Sequence, residues 1–105
     1  MARFDIYMNE GKSKKTTPYL IDVQSNVISG LATRIVVPLR ALDAFSSLKV
    51  PNDLCPIIPV QGENYLLDTP QLASIPSSEL KKKVGSSQAY QFQIQAALDR
   101  AFGAH

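Results

Sequence analysis

Alternating apolar and polar positions predict short β-strands along most of the chain. Every second residue from Phe4 to Met8 is apolar. This period is typical of a strand with one face turned to a core. The same patterning, or a cluster of β-branched residues, predicts six strands in all, at Arg3 to Met8, Tyr19 to Val23, Thr33 to Leu39, Pro56 to Val60, Tyr65 to Thr69 and Leu72 to Ile75.

The segments between these strands contain residues typical of loops and turns. Asn9 to Thr17 holds three lysines and has no apolar period, which predicts an exposed hairpin loop. Ala41 to Leu48 predicts a turn or two of helix, and Gln61 to Asn64 predicts a turn between two strands. Pro38 lacks a backbone N–H, so we expect it at a strand end, at an edge or at a bulge.

One amphipathic helix is predicted near the end of the sequence. Ser86 or Ser87 can cap its first turn by accepting a backbone N–H hydrogen bond, and Gly103 stands where a left-handed residue ends a helix. Apolar residues recur at three- and four-residue spacing and form the stripe Tyr90, Ile94, Ala97, Leu98 and Ala101. A second line is rotated away from this stripe and contains Phe92, Ala96, Asp99 and Gly103.

Several short strands followed by one helix predict a mainly β fold with a C-terminal α-helix. The order is that of a small antiparallel barrel or curled sheet with the helix packed on it. Hydrophobic residues make up 45% of the chain and charged residues 19%, which is typical of a globular protein. With 105 residues, we expect a single domain over residues 1–105.

Composition and charge exclude several classes of protein. The net charge of +2 does not demand a polyanionic partner. Cys55 is the only cysteine, which excludes an internal disulfide and is typical of a small buried residue in a reducing compartment. No apolar run approaches the ~20 residues of a membrane span, and the first residues contain no signal-peptide core. We therefore expect a cytoplasmic protein that does not associate with a membrane.

Residues suited to catalysis or metal binding are sparse. The sequence contains neither a glycine-rich phosphate loop nor a paired-cysteine metal motif. Its only histidine, His105, is the last residue, so a fixed catalytic triad is not expected. The lysine runs at 12–15 and 81–83 lack interleaved aromatic residues and are interpreted as solvated loops. These patterns predict a protein that works by binding.

Two adjacent aliphatic residues, Val27 and Ile28, interrupt the strand pattern after Val23. Successive side chains of an extended segment point to opposite sides, so both cannot enter one core face. Either both pack under the following loop, or one of them extends an exposed apolar patch of the kind used for interaction.

The order of six segments along nearly the whole chain resembles the CcdB family, the toxins of the Ccd plasmid-maintenance modules. In that family a strand ending in Asp-Val-Gln-Ser is followed by two aliphatic residues, and a later strand ends in an aliphatic residue, Pro and Leu. The matching segments are IDVQSNVISG, TRIVVPL, LCPIIPV, NYLLDT, QLASIPSSEL and IQAALDRAF. The resemblance implies an SH3-like antiparallel barrel with a small accessory sheet and a long C-terminal helix.

The resemblance also implies a function. Members of this family are homodimers that poison DNA gyrase by inserting between its A subunits and blocking religation of cleaved DNA. A small antitoxin with a disordered tail wraps the toxin, and only the toxin–antitoxin complex represses its operon on DNA. No metal, cofactor or catalytic residue belongs to this activity.

The family's functional residues carry over onto two groups of positions in this sequence. The resemblance implies gyrase binding at Val27, Ile28, Asp99, Phe102, Gly103, Ala104 and His105. It implies antitoxin binding at Met8, Lys12, Lys14, Lys15, Ala41, Asp43 and Phe45.

The last residues depart from the family pattern. Typical gyrase poisons end in Trp-Gly-Ile, and in the family that Trp stacks on a gyrase arginine, whereas this sequence contains no tryptophan. Phe102 is then the largest anchor available, and it either faces a partner or packs inward beside Leu98. A homologue with weakened gyrase activity, retained for antitoxin binding or regulation, is therefore one alternative.

A ribonuclease is the second alternative, because the messenger-RNA-cleaving toxins of the MazF and Kid type share this fold. Those enzymes use an arginine with a hydroxyl or acidic group. Arg34 beside Thr33 is the candidate for that role, although Arg34 is equally interpreted as a strand residue facing solvent.

Overall fold

The computed structural model describes residues 2–25, 32–45 and 51–103. Its strands are β1 (Asp5–Met8), β2 (Tyr19–Asp22), β3 (Thr33–Ala41), β4 (Ile57–Val60), β5 (Glu63–Leu67), β6 (Ala73–Pro76) and β7 (Lys83–Ser86), and the helix α1 spans Gln91–Phe102. The strands form one sheet in the order β4-β5-β3-β2-β1-β7, and β6 pairs with β3 beside this path. Each of these pairings is antiparallel. The sheet curls into a half-barrel, so the predicted mainly β fold with one C-terminal helix is confirmed.

The central strand, β3, contains Pro38 in its interior, where our expectation of an end, edge or bulge was wrong. On one side β3 pairs with β2, and on the other it pairs with β6 through Thr33–Val36 and with β5 through Leu39–Ala41. The Pro38 carbonyl accepts a hydrogen bond from the Asp68 N–H at 3.0 Å. The N–H and C=O of one residue point to the same side of a strand. The N–H that Pro38 lacks would therefore point to the side of β5 and β6, at the gap between the residues paired with β6 and those paired with β5.

A tight hairpin joins β4 to β5 through Gln61 and Gly62. Their φ angles of 51° and 85° are both positive, as a two-residue type I′ turn requires, and Gly62 adopts such an angle without steric cost. The predicted turn at 61–64 is shorter than expected, because Glu63 already pairs with Val60.

The first strand begins later than predicted because the backbone of Phe4 is left-handed, with a φ of 75°. The Phe4 N–H donates to the Asp22 carbonyl at 2.6 Å, and the Phe4 carbonyl accepts both the N–H and the hydroxyl of Ser87, each at 2.7 Å. These bonds hold a conformation that bulky residues rarely adopt. The adjacent strand β7 is absent from the sequence prediction, which had placed its lysine in a solvated loop.

The C-terminal helix is confirmed, with one change at its start. A short 3₁₀ turn, Gln88–Tyr90, leads into α1, and the Ser86 hydroxyl accepts the Gln88 N–H at 3.2 Å. Ser86 therefore caps this turn rather than α1 itself, whereas Ser87 bonds to Phe4 instead. The helix ends at Gly103 in a left-handed conformation with a φ of 71°, as predicted.

Side chains are buried on both faces of the sheet. We call the larger set, between the sheet and α1, the main core; it includes Phe4, Ile6, Ile21, Val23, Val37, Leu39, Ile58, Val60, Tyr65, Leu67, Ile94 and Ala97. The opposite face carries the second cluster, Tyr7, Val36 and Leu80, with Leu20 and Ile75 packed against it. Our expectation that β1 buries one face only was wrong, because Tyr7 is buried in the second cluster.

The predicted features outside the sheet have mixed outcomes. Cys55 is a buried free thiol, as predicted. Residues 11–16 are exposed, as expected for a loop. The predicted helical segment at 41–48 begins as a 3₁₀ turn at Leu42–Phe45, and the rest of it lies outside the described residues. None of the described helices is long and apolar enough to cross a lipid bilayer.

Candidate functional site

The outward face of α1 exposes two large aromatic side chains. Phe92 is 74% exposed and Phe102 is 69% exposed, the largest values among the exposed large hydrophobic residues of the described chain. Asp99 and Gly103 are also exposed. We call these four residues the helix surface. The inward alternative for Phe102 was therefore wrong, and the ring is exposed, as the partner-facing alternative requires.

An apolar groove of about 340 Å³ lies beside Phe102. It is lined by Leu54, Pro70, Leu72, Arg100, Ala101 and Phe102. Arg100 fixes one wall, because its Nε donates to the Asp53 carboxylate at 2.9 Å. This hydrogen bond lowers the pKa of Asp53 below its ordinary value. A bulky apolar group of a partner can thus rest against Phe102 and the groove together.

The structure brings together part of the predicted gyrase-binding group. Asp99, Phe102 and Gly103 lie within the last turn of α1 and at its end. Val27, Ile28, Ala104 and His105 lie outside the described residues. Sequence reasoning missed the groove residues Leu54 and Leu72, which are distant from α1 in sequence. Phe92 was visible on the second line of the helix but was not assigned a role.

The predicted antitoxin-binding residues fall on two connected segments. Met8 is 39% exposed at the end of β1, and Lys12, Lys14 and Lys15 are exposed in the loop that follows. We call these four residues the loop surface. Asn9 shapes the loop, because its side-chain amide donates to the Thr17 carbonyl at 2.7 Å and its side-chain oxygen accepts the Gly11 N–H at 3.0 Å.

The second segment begins where the loop returns to the sheet. The Ala41 N–H donates to the Thr16 carbonyl at 2.9 Å, which joins the end of β3 to the end of the loop. Ala41 is half-buried, Asp43 is exposed, and Phe45 ends the 3₁₀ turn. The structure therefore places the two predicted antitoxin segments next to each other.

The candidate catalytic residue, Arg34, does not face solvent, so the interpretation as a solvent-facing strand residue was wrong. It is 1% exposed, and its Nε and Nη2 each lie 2.8 Å from Asp22 Oδ2. Asp22 is fully buried and also accepts the Gln24 N–H through Oδ1 at 3.0 Å. Arg34 Nη1 has no hydrogen-bond partner among the described residues. Spacing could not reveal this pair, because strand pairing alone brings residues twelve apart together.

The fold is similar to those of two solved mycobacterial endoribonucleases. One is an endoribonuclease in complex with its cognate antitoxin, with a TM-score of 0.77 and 16% identity over 100% of this chain and 97% of that chain. The other is an endoribonuclease with a TM-score of 0.70 and 15% identity, over 98% of this chain and 91% of that chain. At this identity the similarity concerns the fold.

The family comparison covers almost the entire sequence. Residues 3–103 match the family described as CcdB protein. This match includes both strands of the Asp22–Arg34 pair, the loop surface and the helix surface. The protein therefore belongs to the CcdB family of toxins.

Proposed function

We propose that this protein is the toxin of a type II toxin–antitoxin module, that it binds the A subunit of DNA gyrase, and that a CcdA-like antitoxin neutralises it. The observation that carries the proposal is the helix surface. Two exposed aromatic rings and an exposed acidic side chain lie on one helix, with an apolar groove beside Phe102, and together they are an interaction surface without evident structural purpose. Exposed apolar rings of this kind contribute to binding by losing contact with water.

The antitoxin is proposed to bind the loop surface and the adjoining Ala41–Phe45 segment. Three exposed lysines attract an acidic disordered tail and speed its encounter with the toxin. A homodimer is also proposed, since a second copy of the chain gives one target two helix surfaces. Binding to operator DNA is assigned only to the toxin–antitoxin complex.

Gyrase poisoning is expected to be weak, because Phe102 holds a cation less well than the tryptophan of typical family members. The test measures cleaved plasmid after incubation with gyrase, supercoiled DNA and each protein variant. Phe102→Ala should remove any residual cleavage, and Phe102→Trp should increase it. Met8→Ala is the matched control, because Met8 is an exposed apolar residue on the loop surface and should leave cleavage unchanged.

The structure adds a constraint to the larger tail graft, Gly103→Trp with Ala104→Gly and His105→Ile. Gly103 has a φ of 71°, so a tryptophan there is strained unless the helix extends. We therefore expect Phe102→Trp to increase cleavage at least as much as the triple variant. Strong cleavage by the unmodified protein would show that tryptophan is dispensable. Failure of both variants to increase cleavage would argue against gyrase as the target.

RNA cleavage is a second candidate function, favoured by the similarity of the fold to two endoribonucleases. The burial of Arg34 against Asp22 opposes a direct catalytic role for that arginine. We expect RNA to remain intact on incubation with the purified protein. Cleavage that is lost in Arg34→Lys, which keeps a positive charge beside Asp22, would favour the ribonuclease over the gyrase poison.

A further inference from the structure

The groove beside Phe102 joins parts of the chain that are distant in sequence. The helix α1 contributes Ala101 and Phe102, and two other segments contribute Leu54, Pro70 and Leu72. Leu72 packs against the main core, and its N–H donates to the Thr69 carbonyl at 3.1 Å. The fold itself therefore holds the apolar lining in place.

The charges at the edge of the groove are paired with each other. Arg100 is the only charged residue among the described residues that line the groove. Its Nε donates to Asp53 Oδ2 at 2.9 Å. Both side chains are exposed, at 54% for Arg100 and 62% for Asp53, so the ion pair borders solvent. The carboxylate nearest to the groove thus already has a cationic partner.

The lining disfavours a cationic side chain as an occupant. Among the described residues that line the groove, none has a side-chain oxygen that can accept a hydrogen bond from a guanidinium. Arg100 adds a like charge, which opposes the approach of a second cation. An aliphatic or aromatic side chain, in contrast, loses contact with water on entering and leaves no polar group of its own unpaired.

The size and position of the groove indicate which part of a partner enters it. Its volume of about 340 Å³ lies at the small end of the roughly 300 to 1,000 Å³ of ligand pockets, so it suits one large side chain. Phe102 belongs both to the groove and to the helix surface. A protein that docks on the helix surface is therefore the one that can place a side chain in the groove.

We propose that this groove determines the specificity of the target contact, and that it accepts one large apolar side chain of the gyrase A subunit where typical family members contact an arginine. The proposal rests on the gyrase part of the proposed function and deepens it. It assigns Leu54, Leu72 and Ala101, together with Phe102, as specificity-determining residues. It also supplies a second reason for weak poisoning of a gyrase that presents an arginine.

The first test needs no gyrase. The methyl NMR signals of Leu54, Leu72 and Ala101 are followed while the full-length protein is titrated with N-acetylleucine amide or with N-acetylarginine amide. The leucine probe should shift these signals and bind about tenfold more tightly than the arginine probe, as expected for burial of one aliphatic side chain. N-acetylglycine amide controls for contacts of the probe backbone and should cause no shift.

Protein variants locate the bound probe. Ala101→Glu places a carboxylate in the lining from an exposed helix position and should reverse the preference in favour of the arginine probe. Ala89→Glu, the same substitution at an exposed position before α1, is the matched control and should leave the preference unchanged. Arg100→Gln should strengthen binding of the arginine probe severalfold, because it removes the like charge and releases the Asp53 carboxylate. Circular dichroism checks that the three variants keep the fold.

The second test measures cleaved plasmid with two gyrases. One is the gyrase of a laboratory bacterium, and the other carries leucine in place of the arginine that the family tryptophan contacts. This protein should produce severalfold more cleavage with the leucine gyrase, and Ala101→Glu should remove that gain. Supercoiling without the toxin checks that both gyrases are active.

The outcomes separate this proposal from the proposed function. Equal binding of the leucine and arginine probes overturns the proposal, and so does a leucine preference that persists in Ala101→Glu. More cleavage with the arginine gyrase than with the leucine gyrase also overturns it, while supporting gyrase as the target. A leucine preference that Ala101→Glu reverses, without cleavage by either gyrase, supports the apolar specificity of the groove and rejects gyrase as the target.

Discussion

The two faces of the sheet are stabilised by different chemistry. The main core beneath α1 is almost entirely apolar, with Ile21, Leu39, Ile58, Leu67 and Ile94 at zero exposure. The opposite face mixes the apolar second cluster with buried charge, since Asp22 and Arg34 lie on it. Truncating a side chain in an apolar core lowers the free energy of unfolding in proportion to the cavity that forms. Removing either partner of a buried ion pair leaves an unpaired buried charge, which is strongly destabilising.

The two faces also support different proposed binding surfaces. The main core holds α1 against the sheet and so positions the helix surface. The opposite face positions the loop surface, because Arg40 at the end of β3 bonds to the Thr17 hydroxyl at the end of the loop. Substitutions that disturb one face are therefore expected to impair one binding surface before the other.

The largest expected effect is that of Arg34→Ala. It leaves the Asp22 carboxylate buried without its partner and should lower the free energy of unfolding by about 4 kcal/mol, measured by urea denaturation. Arg34→Met combined with Asp22→Leu removes both charges and should recover most of this loss. A double variant as unstable as Arg34→Ala would mean that the ion pair stabilises the fold by its own attraction. It would contradict the view that each charge mainly compensates for the burial of the other.

Ile94→Ala tests the apolar face and should lower the free energy of unfolding somewhat less than Arg34→Ala does. Ile94 is fully buried between α1 and the sheet, so truncation leaves a cavity and should lower the free energy of unfolding by about 3 kcal/mol. Phe92→Ala, two residues earlier on the same helix, is the matched control. It should leave stability nearly unchanged, because that ring is mostly exposed. A comparable loss in both variants would contradict the assignment of the inward stripe.

A smaller effect is expected from alkaline pH at the rim of the main core. Burial, followed by the hydrogen bond from the Tyr65 hydroxyl to Glu63, raises the pKa of Tyr65 from 10.0 to about 12. The unfolded chain therefore loses this proton first, and the stabilisation is complete below pH 10 and is lost as pH rises through 12. The free energy of unfolding should fall by about 2 kcal/mol by pH 12.

Tyr65→Phe is the control for this titration. In this variant the free energy of unfolding should fall much less between pH 10 and 12. The fall that remains is expected from Tyr7, whose pKa is also raised, mainly by burial. Denaturation curves recorded at several pH values give both slopes. Parallel slopes for the two proteins would show that Tyr65 is not the group responsible.

The sequence predicted features that depend on local periodicity. The stripe through Ile94 and Ala97, the left-handed end at Gly103 and most strands were visible because their signals lie within a few residues of one another. β7 was missed because lysines and a glycine hide its strand pattern, and its pairing with β1 depends on the backbone. Tyr7 was placed on the solvent side because alternation identifies two faces without showing that both are covered.

The candidate surfaces were predictable only in part. The periodicity of α1 showed a second line of residues rotated away from the stripe, and the resemblance identified Asp99, Phe102 and the loop lysines. The groove beside Phe102 requires residues that are distant from α1 in sequence, such as Leu54 and Leu72. Only the pairing of β1 with β7 brings the second lysine run to the loop surface.

The double hydrogen bond from Ser87 to Phe4 has a consequence for the order of events during synthesis. The two residues are separated by 83 positions, and β1 receives its β7 partner from the same late segment. A ribosome must therefore add residues 83–87 before the left-handed Phe4 and the outer side of β1 can be stabilised. Because contacts this far apart in sequence form slowly, the toxin reaches its active shape only after nearly all of the described chain has been made.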